Sequence, residues 1–325
     1  MRVIRRKDVK KRTICQIIAI LQRFCYNDSG DKLVLDYVEC RHEFRRRRNG
    51  LKCFYIYQEG VFCVEILVCI KQVPGTSEVE VDKETGVLKR EGIDSKMNPY
   101  DLYSVETAIK IKEQTGARVT VATMGPPQAS EILQEAFMMG ADEAALFTDR
   151  KFAGADVLAT SYTIAQGIKK VSIPDLIICG KQTTDGDTAQ VGPELAEFLS
   201  IPHVANVTKV IEVTEKSIIL EMDMGHSVEV VEMLYPCLIT VEKGINVPRL
   251  PSFKLKLATK NKKIPFYSLN DFEDKDEKKY GLNGSPTRVL RIFSPEANSD
   301  RETWTGSGEE LTAKLVKKLK ELKFA

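Results

Sequence analysis

From Val64 onward, apolar and polar positions fall into two alternating kinds of block. Short apolar runs at Glu65–Val73, Val119–Met124, Ala144–Thr148 and Asp175–Cys179 have the length and character of buried strands. Between them, segments at 98–116, 128–139, 156–169 and 192–199 space their apolar residues by three and four, as Leu102, Val105 and Ile109 do. Asn98 suits an N-cap, Pro99 the first helical position, and Gly116 and Gly140 the helix ends. The stretch Gly75–Asp94 is polar and hairpin-like. Strand–helix alternation of this kind predicts an α/β fold: a doubly wound, mostly parallel, Rossmann-like sheet with helices on both faces.

After residue 203 the period changes to two. Strands are expected at 204–213, 217–223, 227–234 and 237–242, making a small antiparallel extension. Residues 243–300 are rich in Pro and Lys with little periodicity, so they are expected to wrap a partner rather than hang free. The chain closes with a helix. Ser307 and Glu310 form a capping box, and Leu311, Leu315, Leu319 and Leu322 make a stripe.

The first 63 residues break this pattern. They carry 15 Lys+Arg against 7 Asp+Glu, whereas the whole 325-residue chain carries 48 against 46. They also hold five of the eight cysteines, at 15, 25, 40, 53 and 63, without zinc spacing. Ile14–Phe24 could form one short helix, and Arg45–Arg48 reads either as a solvated cluster or as a nucleic-acid patch. The jump in composition at Val64 points to residues 1–63 lying upstream of the true start. The division expected is an anomalous extension at 1–63, a nucleotide-binding domain at 64–255, and an arm with its terminal helix at 256–325. No stretch approaches the ~18 apolar residues of a membrane span.

Ligands of doubly wound sheets sit outside the carboxyl ends of the strands. That places the site at Cys69–Lys71, Met124–Pro126, the loop bearing Asn98, and the loop 180–192. The last is the most informative: Gly180-Lys-Gln-Thr-Thr-Asp185-Gly186-Asp187-Thr188-Ala189-Gln190-Val191-Gly192-Pro193. Its amides and the following helix N-terminus suit a phosphate, and Gly186 and Gly192 allow close backbone approach and unusual dihedrals. Asp185 and Asp187 would repel phosphate, so they suit ribose hydroxyls or the loop's own amides. G-x-G-x-x-G, P-loop, H-E-x-x-H and G-x-S-x-G patterns are all missing. Cys69 and Cys179 read as small buried hydrophobes. Any chemistry belongs to a bound cofactor, with no catalytic side chain and no metal.

Residues 64–325 resemble the β subunit of electron-transfer flavoproteins over nearly their whole length. The blocks that carry this are ILVCIKQVPG (66–75), SKMNPYDLYSVETAIKIKE (95–113), MGPPQASEIL (124–133), MGADEAALFTDRKFAGADVLATSY (139–162), GKQTTDGDTAQVGPELAEFL (180–199), YPCLITVEKGINVPRLPS (235–252) and GSPTRVLRIFSPE (284–296). The resemblance implies a cytoplasmic heterodimer with an α subunit carrying the redox-active FAD, and an adenine nucleotide in this subunit. Its contacts would fall on Cys69, Asn98, Pro99, Tyr100, Asp101, Met124 and on Asp185, Gly186, Asp187, Thr188, Ala189, Gln190, Val191, Gly192 and Pro193. The Asp-Gly-Asp-Thr-Ala-Gln-Val-Gly-Pro loop is similar to that of the NADH-dependent, electron-bifurcating group, which implies FAD rather than AMP. It further implies NADH as donor, with ferredoxin or flavodoxin and an acyl-CoA dehydrogenase-type flavoenzyme as partners. Arg249, Leu250 and Phe253 fall on the family's partner-docking segment. An AMP-holding shuttle and a nucleotide- or nucleic-acid-binding module are the alternatives.

Overall fold

The computed structural model describes Arg2–Val3, residues 64–75, 95–290 and 301–324. The short helix expected at 14–24, the Arg45–Arg48 run and the hairpin tip within 76–94 lie outside the described residues. Contacts divide the chain into two units, Met1–Val79 with Arg90–Arg288, and Glu80–Lys89 with Val289–Ala325.

In the first unit the four apolar runs become the parallel strands β2 (Glu65–Cys69), β5 (Arg118–Met124), β6 (Glu143–Phe147) and β7 (Leu176–Gly180). Parallel to them run β8 (His203–Val213) and β11 (Cys237–Val241), which come from the stretch expected as the antiparallel extension, and β12 (Phe266–Tyr267). Two further strands, β9 (Ser217–Asp223) and β10 (Val228–Leu234), continue the sheet in antiparallel fashion, with β1 (Arg2–Val3) on the edge of β10. The order is β1-β10-β9-β8-β11-β7-β2-β5-β6-β12. A separate antiparallel pair, β3 (Gln72–Pro74) and β4 (Ser95–Met97), brackets the hairpin-like stretch.

The helices α1 (Pro99–Thr115), α2 (Ser130–Met139), α3 (Val157–Val171) and α4 (Val191–Leu199) are the crossovers, and α5 (Phe253–Thr259) follows the sheet. Leu67 and Ile177 face one apolar cluster while Ile66, Val68, Leu176 and Ile178 face the other, so the central strands are buried on both sides. That is why they read as unbroken apolar runs. Gly116 caps α1 in the left-handed region at φ 76°, as its sequence position predicts.

Part of the stretch expected to wrap a partner packs onto its own unit. Leu269, Phe272 and Tyr280 are buried, and Phe272 stacks on Phe152 at 5.5 Å with Tyr280 5.6 Å from the same ring. Single-turn 3₁₀ helices at Leu269–Asp271, Glu277–Lys279 and Gly281–Gly284 deliver these anchors. Turns of three or four residues carry no apolar period, so the sequence there looks structureless.

In the second unit, α6 (Gly308–Glu321) opens with the expected capping box. The Ser307 hydroxyl accepts from the Glu310 amide (3.4 Å), and the Glu310 carboxylate accepts from the Ser307 amide (3.0 Å). Leu315 and Leu322 of its stripe are exposed. Among the described residues no helix is long and apolar enough to cross a membrane.

Candidate functional site

Chain order reverses at β2. The strands β5 and β6 lie to one side of it and β7 to the other, so the crevice between β2 and β7 is the topological switch point. Cys69 and Cys179 lie in register across it. The neighbouring Cys69 thiol and burial push the Cys179 thiol well above its usual range, so it stays protonated, in keeping with a small apolar filler.

Asn98 ties three segments together at this edge. Its amide N–H donates to the Lys71 carbonyl (2.9 Å). Its side-chain Nδ2 donates to Asp101 Oδ1 (2.9 Å) and to the Gln182 carbonyl (2.9 Å), and Oδ1 accepts from the Thr184 amide (3.3 Å). It therefore makes no side-chain cap for α1, although it precedes the helix. A helix-start signal cannot tell a cap from a cross-loop tie.

Asp101 sits beneath this tie. Burial pushes its carboxyl up to about 7, against the pull of Asn98 and of the Lys71 amide, which donates to Oδ2 at 2.7 Å. The Lys71 ammonium turns instead to Asp185 (2.7 Å). Burial raises the Asp185 carboxyl, but Lys71 and Thr183 hold it below the usual range. Gly180 lets these groups close up, since a Cβ there would meet Asp101 Oδ1 at 2.4 Å.

Beyond Asp185 the loop is open. Thr184 to Gln190 are exposed. Asp187 and Ala189 adopt left-handed φ of 53° and 55°, strained for residues with a Cβ. Gly186, which the sequence singled out for unusual dihedrals, does not carry them. Gly192 is needed for contact rather than φ, because its Cβ would lie 2.5 Å from Thr240 Cγ2. Asp187 is tied back to the Gln182 side chain. Thus Cys69, Asn98, Asp101, Asp185 and the 186–193 segment converge, with Pro99 and Tyr100 half-buried on the first turn of α1. Met124 ends β5, which pairs directly with β2. Lys71 and Gln182 complete the arrangement. Lys71 follows the apolar run of β2 directly, and that position was the signal available for it.

Among the described residues five buried polar side-chain atoms have no partner. Two, Tyr235 Oη and Asn246 Oδ1, lie away from this edge, and three, Gln72 Nε2, Thr123 Oγ1 and Glu194 Oε2, belong to the segments leaving β2, ending β5 and opening α4. Folded proteins rarely leave such groups unpaired.

The second surface lies on residues 244–257. Val247, Leu250 and Phe253 are 84, 87 and 71 % exposed. Arg249 does not join them: its guanidinium turns inward to Glu106 and Glu113.

Fold and geometry together define a doubly wound α/β unit with its topological switch point between β2 and β7. Residues 85–271 match the electron transfer flavoprotein domain. An electron transfer flavoprotein subunit beta of Clostridium acetobutylicum is 46 % identical over 258 residues, covering 79 % of this chain and 98 % of that protein. The caffeyl-CoA reductase-Etf complex subunit CarD of Acetobacterium woodii is 46 % identical over 260 residues, covering 79 % and 98 %. Protein FixA of Azorhizobium caulinodans is 38 % identical over 270 residues, covering 80 % and 96 %. The chain belongs to the electron transfer flavoprotein family, as a β-type subunit working in electron transfer.

Proposed function

We propose that this chain pairs with an α subunit, holds FAD at its switch-point edge, and serves a cytoplasmic complex that oxidises NADH and splits the electron pair. One electron goes to an acyl-CoA dehydrogenase-type flavoenzyme and the other to ferredoxin or flavodoxin. The observation that carries this is the edge itself: an exposed loop with left-handed backbone at Asp187 and Ala189, at the switch point where Asn98 ties the loop to β2 and α1. The similarity to CarD, whose name places it in a caffeyl-CoA reductase complex, supports the dehydrogenase-type partner.

Residues Thr188 to Gly192 offer amides and the α4 N-terminus to a pyrophosphate. Asp185 is held by Lys71 and shapes the loop, while Asp101 and Asn98 fix the floor. Bound FAD supplies hydride acceptance and one-electron chemistry. The chain's own residues bind and orient it, and none acts as an acid or base. Leu250 and Phe253, with Val247, form the docking surface, and Lys254, Lys256 and Lys260 beside them favour an acidic rim on the partner.

Denaturing the purified heterodimer and chromatographing what it releases tests this. Two FAD per heterodimer, one bleached by NADH, is the expected result. One FAD with AMP overturns bifurcation in favour of the shuttle, and neither flavin nor adenylate overturns the site.

A further inference from the structure

The docking strap is built on a three-residue repeat. Asn246-Val247-Pro248, Arg249-Leu250-Pro251 and Ser252-Phe253 each place a polar residue first and an apolar residue second. The structure sorts them accordingly: Asn246, Arg249 and Ser252 are half-buried, while Val247, Leu250 and Phe253 are exposed. Prolines at 248 and 251 favour an extended chain with three residues per turn, which puts every third side chain on one side.

All three polar positions are bonded inward. Asn246 Nδ2 donates to the Tyr103 carbonyl (3.0 Å) and to Thr107 Oγ1 (2.8 Å). The Ser252 amide donates to the Met138 carbonyl (2.9 Å). Arg249, at the centre, makes the most bonds. Its backbone amide (3.2 Å) and Nε (2.7 Å) both donate to Glu106 Oε2, and Nη2 donates to Oε1 (3.1 Å). Nη1 and Nη2 reach Glu113 at 2.6 and 3.2 Å. Tyr103, Glu106, Thr107 and Glu113 form one stripe of α1, spaced three, four and seven apart. Glu106 is 2 % exposed.

With the apolar side chains of the strap facing outward, polar bonds fix its pose. We propose that Glu106 is a positioning residue for partner docking: by gripping both the amide and the guanidinium of Arg249, it sets the register that turns Val247, Leu250 and Phe253 outward. The proposal rests on the docking surface proposed above. A carboxylate that only secured the fold would need the guanidinium alone. The bond to the Arg249 amide fixes the path of the chain between two displayed side chains.

The test uses the purified heterodimer and a purified short-chain acyl-CoA dehydrogenase as probe partner, followed by electron exchange. Glu106→Gln keeps the shape and one acceptor but turns an NH₂ toward the guanidinium. We expect its KM for the dehydrogenase to rise about tenfold, with kcat and flavin content unchanged. Arg249→Lys, which keeps the charge and loses the fork, raises KM about threefold and covers the case in which Glu106→Gln does not fold. Phe253→Ala is the control for the surface itself. If Phe253→Ala raises KM while both clamp variants stay within twofold, the positioning role is overturned and the docking surface stands. If Phe253→Ala is silent, or the wild-type heterodimer shows no saturable exchange, the docking surface falls and the proposal with it.

Discussion

Two carboxylates buried five residues apart on α1 have met opposite fates. Glu106 faces a guanidinium fork and raises the pKa of Arg249 through it. Asp101 faces two neutral donors, the Asn98 side chain and the Lys71 amide, while the Lys71 ammonium is taken by Asp185. Burial then drives Asp101 up to about 7. The contrast is one of partners: one part of α1 holds residues 246–252 through a guanidinium, whereas the first turn keeps a carboxyl with no cation bonded to it below the exposed loop. A buried acid bonded to a cation is tied into the structure by that pair, whereas Asp101, bonded only to neutral donors with the Lys71 charge acting from a distance, is raised by its burial.

The largest effect should come from breaking the clamp. Arg249→Ala leaves the Glu106 side chain, 3 % exposed, with no cation, and such losses cost about 5 kcal/mol at the upper end. Chemical denaturation measures it. Glu113→Ala removes the exposed partner and should cost only about 0.5 kcal/mol. Similar costs for both variants would dissolve the contrast.

Next comes the pH response of Asp101. Between its unfolded value of 3.8 and about 7, the folded protein holds a proton that the unfolded chain has released. Stability therefore falls as pH rises through that window and is fully present only below it. A shift of this size is worth on the order of 4 kcal/mol. Denaturation midpoints between pH 4 and pH 8 should show the slope, and Asp101→Asn should flatten it. A slope identical in the variant would assign the pH dependence to other groups.

The strands and crossovers were legible in the sequence, because burial on both faces writes itself as apolar runs, and the switch point follows from the strand order they make. It hid Glu106. On a helix, a Glu among polar neighbours reads as solvated, and only the return of the chain 143 residues later covers it. The pairing of Arg249 was hidden for the same reason: a basic residue beside exposed apolar positions gives no sign of its carboxylate partners until the period of three is seen. The arm at 264–285 was hidden differently, its aromatic anchors being delivered by single turns.

A smaller effect tests how far the openness of the loop extends. Gly192→Ala drives a Cβ to 2.5 Å from Thr240 Cγ2, where α4 packs on β11, and overpacking of this kind costs about 2 kcal/mol. Loss of both stability and adenine nucleotide is expected, read by denaturation and by nucleotide content. Loss of nucleotide without loss of stability would extend the open region into α4.

The smallest structural effect should come from Thr188→Val. Thr188 is exposed between Asp187 and Ala189, the two residues forced into left-handed backbone. A β-branched replacement of nearly equal shape preserves the path of the chain and removes only a hydroxyl, so stability should stay within about 0.5 kcal/mol. Nucleotide retained by the purified heterodimer should nevertheless fall several-fold, because the hydroxyl is lost from the exposed stretch proposed to hold the ligand. Asp187→Ala makes the opposite comparison: it frees Gln182 as well, so it should loosen the loop and release nucleotide together. If Thr188→Val keeps full occupancy while Asp187→Ala loses it, the loop acts through its shape alone, and the first turn of α1 is no less structural than the clamp.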